Sequence, residues 1–339
     1  MKYLISLLTL LSLTFCSSNQ PNAEVSSPSD SSDFQEIPKI QLGFSAKGSL
    51  QAAEQVALTD KMLDDFPQGL KDNLHIRVSG GTRSQKEMPN DWKDSDIRLW
   101  TDLQKKHGFK FVFVVNGNDT PQSQKQFYQK WVGFGAQFSF VEMMNEYYMT
   151  KFRTGDKSKP EVTRAITPEV YAEDLLPKFI NEFKSLDIPL FVIFAPEKEG
   201  KKNNTYLKEW NNVVASAIKK NFKDVKIGVT VHLYEKGETN YNYQQLIRLR
   251  EMLPQGVPIA VTEAGSLDPK IRDYDSAGKT IYKHYKSIAM HLRPGDYLFD
   301  QTLYNNYSNN TMATLHSSYN GITPKGEQVV KFMKEMYPD

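Results

Sequence analysis

The sequence predicts an α/β protein built as one closed (β/α)8 TIM barrel, and three observations carry that prediction. Short runs rich in Val, Ile and Phe alternate with amphipathic stretches along almost the whole chain after the first forty residues or so. Eight such pairs fit into roughly 300 residues, which suits a closed barrel better than a doubly wound open sheet. Two of the runs also end in glutamate: Phe140-Val141-Glu142-Met143-Met144-Asn145-Glu146 and Pro258-Ile259-Ala260-Val261-Thr262-Glu263-Ala264-Gly265. A strand that runs into a carboxylate and then into loop residues sets a polar group at the rim of a core, where a ligand can reach it.

Taken in order, the predicted strands are 40–44, 74–79, 109–115, 138–144, 189–195, 225–233, 258–262 and 297–303. The helices that follow them are read over 50–66, 97–106, 123–132, 170–186, 206–221, 243–253, 279–292 and 326–336. In 206–221 the residues Leu207, Trp210, Val214, Ala217 and Ile218 recur at mostly three- and four-residue intervals, so they share one helical face that would pack on a sheet. Trp92, Trp100, Trp131 and Trp210 fall in loop or helix stretches and are read as packing residues.

Composition agrees with a sizeable core, at 39% hydrophobic and 24% charged residues. Forty-two basic residues against 40 acidic ones leave a net charge of +2, too balanced to imply a nucleic-acid partner. The pairs Lys201-Lys202 and Lys219-Lys220 are read as solvated surface.

The N-terminus is set apart. Met1-Lys2 supplies a positive charge, and residues 3–15 form an apolar run too short to span a bilayer comfortably. Cys16, the only cysteine, follows Leu13-Thr14-Phe15. The segment resembles a bacterial lipoprotein signal, with Leu13 at its usual place and Phe15 where a small residue is normal. That resemblance implies lipidation of Cys16, export, and attachment to the cell membrane or outer membrane. The alternative is an ordinary secretory peptide with an incidental cysteine. The organisation expected is a signal over 1–15, a Ser-, Pro- and Asp-rich tether over 16–35 and the barrel over 36–339, with no disulfide to brace it.

Glu146 and Glu263 lie far apart in sequence, yet strand ends four and seven share one mouth of a barrel. Cleaving a glycosidic bond needs such a pair: one carboxylic acid to protonate the leaving oxygen and one carboxylate across the sugar, about 5–5.5 Å apart in a retaining enzyme. At these residues the chain resembles the retaining glycoside hydrolases of clan A, whose fourth strand carries Asn-Glu and whose seventh ends in a nucleophilic Glu. The resemblance implies Glu146 as acid/base, Glu263 as nucleophile, and Asn145 as a partner for the hydroxyl beside the anomeric carbon. Ile76-Arg77-Val78-Ser79-Gly80-Gly81-Thr82 is similar to the second-strand segment of arabinofuranosidase-type and heparanase-like members, which makes Arg77 a brace for the nucleophile. Val231-His232-Leu233-Tyr234 resembles the sixth-strand segment, whose His or Tyr points into the site, so His232 and Tyr234 join the substrate-binding set. The stretch 321–326 resembles the turn that opens the last helix. One feature departs: no tryptophan ends strand eight, and Tyr304 is expected to take its place under the sugar.

Two loops are expected to set specificity. Residues 147–167 carry Tyr147, Tyr148 and Phe152 for stacking on sugar faces, beside Lys151, Arg153, Lys157 and Arg164, which suit either an acidic sugar or plain solvation. Residues 304–321 are crowded with Asn, Ser and Tyr, which suit a polyhydroxylated ligand or an ordinary loop. Glu142 is either a second acidic contact or a buried structural charge, and Glu197, near the rim just after strand five, is either a substrate contact or, as expected, exposed in its loop. Sequons at Asn203 and Asn306 mean little if the source is bacterial, as the segment around Cys16 suggests. No serine elbow, zinc motif or phosphate loop occurs, the six histidines lack metal-ligand spacing, and no cofactor or metal is called for. Oligomeric state is left open. The expected function is therefore a membrane-tethered glycosidase acting on a carbohydrate, with a non-catalytic surface lipoprotein that binds carbohydrate or a host protein as the alternative.

Overall fold

The computed structural model describes residues 37–46, 51–78, 80–149, 166–197, 204–235, 240–266, 273–305 and 313–338. The expected signal and tether with Cys16, Leu50, Ser79, the loop residues Lys151, Phe152, Arg153, Lys157 and Arg164, and Lys201, Lys202, Asn203 and Asn306 lie outside them.

The chain runs β1 (Gln41–Ser45), α1 (Ala52–Asp64), α2 (Gln68–Asp72), β2 (Leu74–Val78), α3 (Asp94–His107), β3 (Lys110–Val114), α4 (Pro121–Gly133) and β4 (Phe138–Met143). It continues through α5 (Leu176–Phe183), β5 (Leu190–Phe194), α6 (Asn204–Asn221), β6 (Ile227–Glu235), α7 (Asn240–Met252), β7 (Ile259–Ser266), α8 (Tyr274–Ala289) and β8 (Tyr297–Asp300). A hairpin of β9 (Leu315–His316) and β10 (Gly321–Ile322) precedes α9 (Pro324–Met336). Strands β1 to β8 pair in order, and β1 closes on β8 with Leu42 opposite Leu298 and Phe44 opposite Asp300, all parallel. The protein is a (β/α)8 barrel.

Local chemistry explains where the elements differ from the hydrophobic pattern. Helix α8 begins five residues before the predicted 279, because Asp273 caps it by accepting from the Ser276 amide at 2.7 Å and its first turn is polar. Thr323 caps α9 in the same way, with Pro324 as the first helical residue. The predicted helix 170–186 is broken into a π turn (Val170–Leu175), α5 and a 3-10 turn (Lys184–Leu186). Pro177 lacks an amide to continue the ladder, and the Leu176 amide reaches back five residues to Tyr171 O. The α2 helix and the β9–β10 hairpin are too short to give a periodic signal.

Two apolar layers hold the barrel. Between sheet and helices lie the large residues, including Trp92, Trp100, Trp131 and Trp210, all buried and packing as expected. On α6, Trp210, Val214, Ala217 and Ile218 are buried, with Leu207 packed at the edge. Inside the barrel a separate plug forms from Val112, Phe140, Phe191, Ala260 and Phe299, with Tyr297 against it. Phe140 stacks on Phe191 at 4.0 Å. Glycines make room for these rings: a Cβ at Gly43 or Gly228 would lie 2.4 Å from Phe299 or Phe191 respectively.

Candidate active site

Above the plug, regular strand alternation first aims and then fails to aim the polar residues. Alternation places Arg77 two residues above the inward His75 on β2, and Glu142 two above Phe140 on β4. At the end of β4, Met144 (φ 73°) and Glu146 (φ 46°) adopt left-handed backbone, a conformation that non-glycine residues rarely accept. The Met144 amide folds back onto Glu142 O at 3.0 Å, so alternation stops and Asn145 and Glu146 both turn inward. Side chains pin this turn: Gln85 donates to Asn145 O, Tyr171 donates to Met143 O at 3.2 Å, and Tyr147 donates to Asn118 at 2.7 Å.

On β7 a bulge does the aiming. Val261 faces Val231, but the next pair is Glu263 with His232, and on the other side Val261 and Ala264 face Leu298 and Asp300. One residue too many therefore sits between Val261 and Ala264. Strict alternation from Ala260 would send Glu263 outward into the helix layer. With the bulge, Thr262 lies 3.5 Å from Glu142 and Glu263 also reaches the interior, on Arg77.

Arg77 is the hub. Its Nε and Nη2 donate to the two oxygens of Glu142 at 2.6 and 2.9 Å, its Nη1 to Glu263 Oε1 at 2.7 Å, and Nη2 also to Asn145 Oδ1 at 2.7 Å. His232 is the second cation: Nδ1 lies 3.1 Å from Glu146 Oε1 and 3.7 Å from Glu263 Oε2, and Nε2 3.9 Å from Glu142, an ion-pair contact rather than a hydrogen bond. The separation of those Glu146 and Glu263 oxygens cannot exceed the sum of the two Nδ1 distances. Tyr234 donates to Glu263 Oε2, and Tyr148 donates to Glu146 Oε1 at 3.2 Å.

The electrostatics follow from burial and charge. Burial alone lowers the His232 pKa, but Glu263, Glu142 and Glu146 reverse this and push it up to about 10, so the ring is an imidazolium at neutral pH. Burial alone raises the Glu142 carboxyl, and Arg77 with His232 holds it below its ordinary value instead. Burial, with the Glu263 and Glu146 carboxyl groups nearby, drives the phenols of Tyr234 and Tyr148 well above their ordinary values, which keeps both as donors.

Of the residues singled out in the sequence, Glu146, Glu263, Arg77, Asn145, His232 and Tyr234 come together. Arg77 and His232 are fully buried and touch carboxylates. Asn145 Nδ2 is buried with no hydrogen-bond partner. Tyr304 stands apart: it bridges Leu315, and burial with the neighbouring Glu54 raises its phenol. No described contact joins it to the cluster.

Of the two readings open for Glu142, the structure has the buried structural charge, held by Arg77. Glu197 is not exposed but 4% accessible, held by Asn211 at 3.0 Å and Arg248 at 3.5 Å. Tyr147 and Tyr148 are buried and therefore present no face for a sugar. Tyr148 and Thr262 enter the cluster unforeseen, since neither a bulge nor a left-handed turn has a hydrophobic signature. Among the described residues, Asp60, Asp64 and His107 form one group with metal-like spacing on α1 and α3, but the Lys106 ammonium already pairs with both aspartates at 2.7 and 3.0 Å.

No protein-family model and no curated protein sequence matches the chain. Solved structures do. The β-glycosidase BGL167 aligns with a TM-score of 0.53 at 11% identity over 86% of this chain and 87% of that one. The catalytic domain of the GH30 xylanase C from Talaromyces cellulolyticus gives 0.53 at 12% over 89% and 76%, and a GH39 β-xylosidase from Caulobacter crescentus 0.53 at 13% over 87% and 71%. At such identities the likeness establishes the shared barrel alone, which these three glycosidases also have.

Proposed function

We propose that the chain is a retaining O-glycosyl hydrolase in which Glu263 is the nucleophile and Glu146 the acid/base. The observation that carries this reading is that both carboxylates lie against one nitrogen of His232. One oxygen of each carboxylate within reach of a single ring nitrogen supports the close spacing of ~5–5.5 Å found in retaining enzymes over the roughly 6.5–9.5 Å of inverting ones. Charge bookkeeping supports the same roles. Three carboxylates (Glu142, Glu146 and Glu263) face two cations (Arg77 and His232), so one added proton balances the cluster. Arg77 and Glu142 are locked together, and Tyr234 and Arg77 both donate to Glu263, which orients it as the nucleophile, while Glu146 meets His232 and Tyr148.

In the first step a Glu263 oxygen bonds to the anomeric carbon as the glycosidic bond breaks and Glu146 protonates the leaving oxygen. In the second, Glu146 takes a proton from water, the water oxygen bonds to the anomeric carbon, and the Glu263 ester breaks. Asn145, beside Glu146 and held by Arg77, is the proposed partner for the hydroxyl next to the anomeric carbon.

A panel of aryl glycosides tests this with wild type, Glu146→Ala and Glu263→Ala. Turnover by wild type, its loss in Glu263→Ala, and formation of a glycosyl azide when azide is added to that variant are expected. A second reading, a carbohydrate-binding surface protein, is favoured by one feature: Tyr304 supplies no aromatic floor to the cluster. Glycan binding by an inactive wild type would select it. In either case the proposed location is a bacterial membrane, reached through lipidated Cys16, and Cys16→Ser is expected to move the protein from the membrane to the soluble exported fraction.

A further inference from the structure

Resting on the acid/base role of Glu146, the hydrogen bonds around its carboxyl assign a task to a residue outside the pair. Oε1 receives two donors from different parts of the chain, Tyr148 Oη at 3.2 Å and His232 Nδ1 at 3.1 Å. No described hydrogen bond reaches Oε2, and the Glu146 side chain keeps a tenth of its surface exposed. We propose that Tyr148 is a positioning residue for the acid/base, which together with His232 occupies Oε1 and so confines the transferable proton to Oε2. A carboxyl oxygen that accepts two hydrogen bonds is the carbonyl-like oxygen of the acid form, and the O–H then sits on the other one.

The competing role is packing, because the Tyr148 ring meets Trp210 edge-on at 6.2 Å. Tyr148→Phe separates the two. It keeps the ring against Trp210 and deletes only the donor. A donor to a carboxylate favours the anion, so its loss moves protonation to higher pH. The charged and titratable groups facing Glu146 stay in place: His232 and Tyr234 from β6, Glu263 from β7, Glu142 from β4 and Arg77 from β2.

The test reads the carboxyl directly by 13C NMR of protein labelled at glutamate Cδ, with the Glu146 signal assigned by its loss in Glu146→Gln. In Tyr148→Phe the Glu146 midpoint is expected to rise by about one pH unit relative to wild type, as the loss of one hydrogen bond to a charged group implies. With phenyl glycosides the alkaline limb of kcat/KM is expected to rise by the same amount, while dinitrophenyl glycosides, which leave without a proton, show little change in kcat/KM. An unmoved midpoint in a folded Tyr148→Phe overturns the proposal. Undiminished turnover of phenyl glycosides by Glu146→Ala overturns the acid/base reading instead, and the NMR titration still decides whether Tyr148 bonds the carboxyl.

Discussion

Two buried histidines on strands of the same barrel behave in opposite ways. His75, low on β2, packs edge-on against Tyr297 at 5.2 Å and near Phe299, and burial pushes its pKa down to about 4. His232, on β6 at the rim, is equally buried, yet three carboxylates push it up to about 10. Burial by itself therefore does not fix the charge state, and neighbours do. The lower interior is an apolar plug in which regular alternation and glycine-for-ring complementarity give stability. The upper interior is a charged lattice whose geometry depends on a bulge and a left-handed turn, two breaks in the regularity that serves the plug.

The sharpest way to separate the layers is Glu263→Ala. Turnover is expected to fall by about 10⁴-fold, on the order of 5 kcal/mol of barrier, while thermal melts shift little because Arg77 keeps its two bonds to Glu142. Arg77→Met breaks the lattice itself: Glu142 loses both of its Arg77 hydrogen bonds and keeps only the longer contacts with His232 and Thr262, for which urea denaturation should report a loss of about 3–5 kcal/mol. In the plug, Gly228→Ala forces a methyl toward the Phe191 ring, a cost of about 1–3 kcal/mol that Phe191→Leu in the same chain should partly restore.

The smallest effects are in pH dependence, and they have opposite signs. The folded pKa of His232 lies above its ordinary 6.5, so its stabilisation is whole below pH 6.5 and is lost as pH rises through about 10. The folded pKa of His75 lies below 6.5, so its contribution is whole above pH 6.5 and is lost as pH falls through about 4. Melting curves should therefore show His232→Gln flattening the alkaline side and His75→Phe the acid side, each by on the order of a few degrees. Loss on the same side for both would erase the distinction between layers.

Much of this was legible in the sequence, for physical reasons. Strands such as Leu190–Phe194 are continuous apolar runs because both faces of a barrel strand are covered, and α6 shows its buried face as a 3.6-residue period. Glu146 and Glu263 were visible because they end such runs. What alternation could not convey is how they turn inward: counting by twos from Ala260 aims Glu263 the wrong way, and only the register of both neighbouring strands reveals the extra residue. Tyr148 was misread for a related reason. A tyrosine after a strand reads as a loop aromatic free to stack, and the turn at Met144–Glu146 that tucks it under the acid has no compositional mark.

The pairing of Glu146 with Glu263 as reacting groups is tested most directly by mass spectrometry after exposure to 2-deoxy-2-fluoro glycosyl probes with activated leaving groups. The account predicts a glycosyl ester on the peptide containing Glu263, formed in wild type and in Glu146→Ala and absent in Glu263→Ala. An active protein labelled on a different residue, or turnover that survives the loss of Glu263, would contradict it.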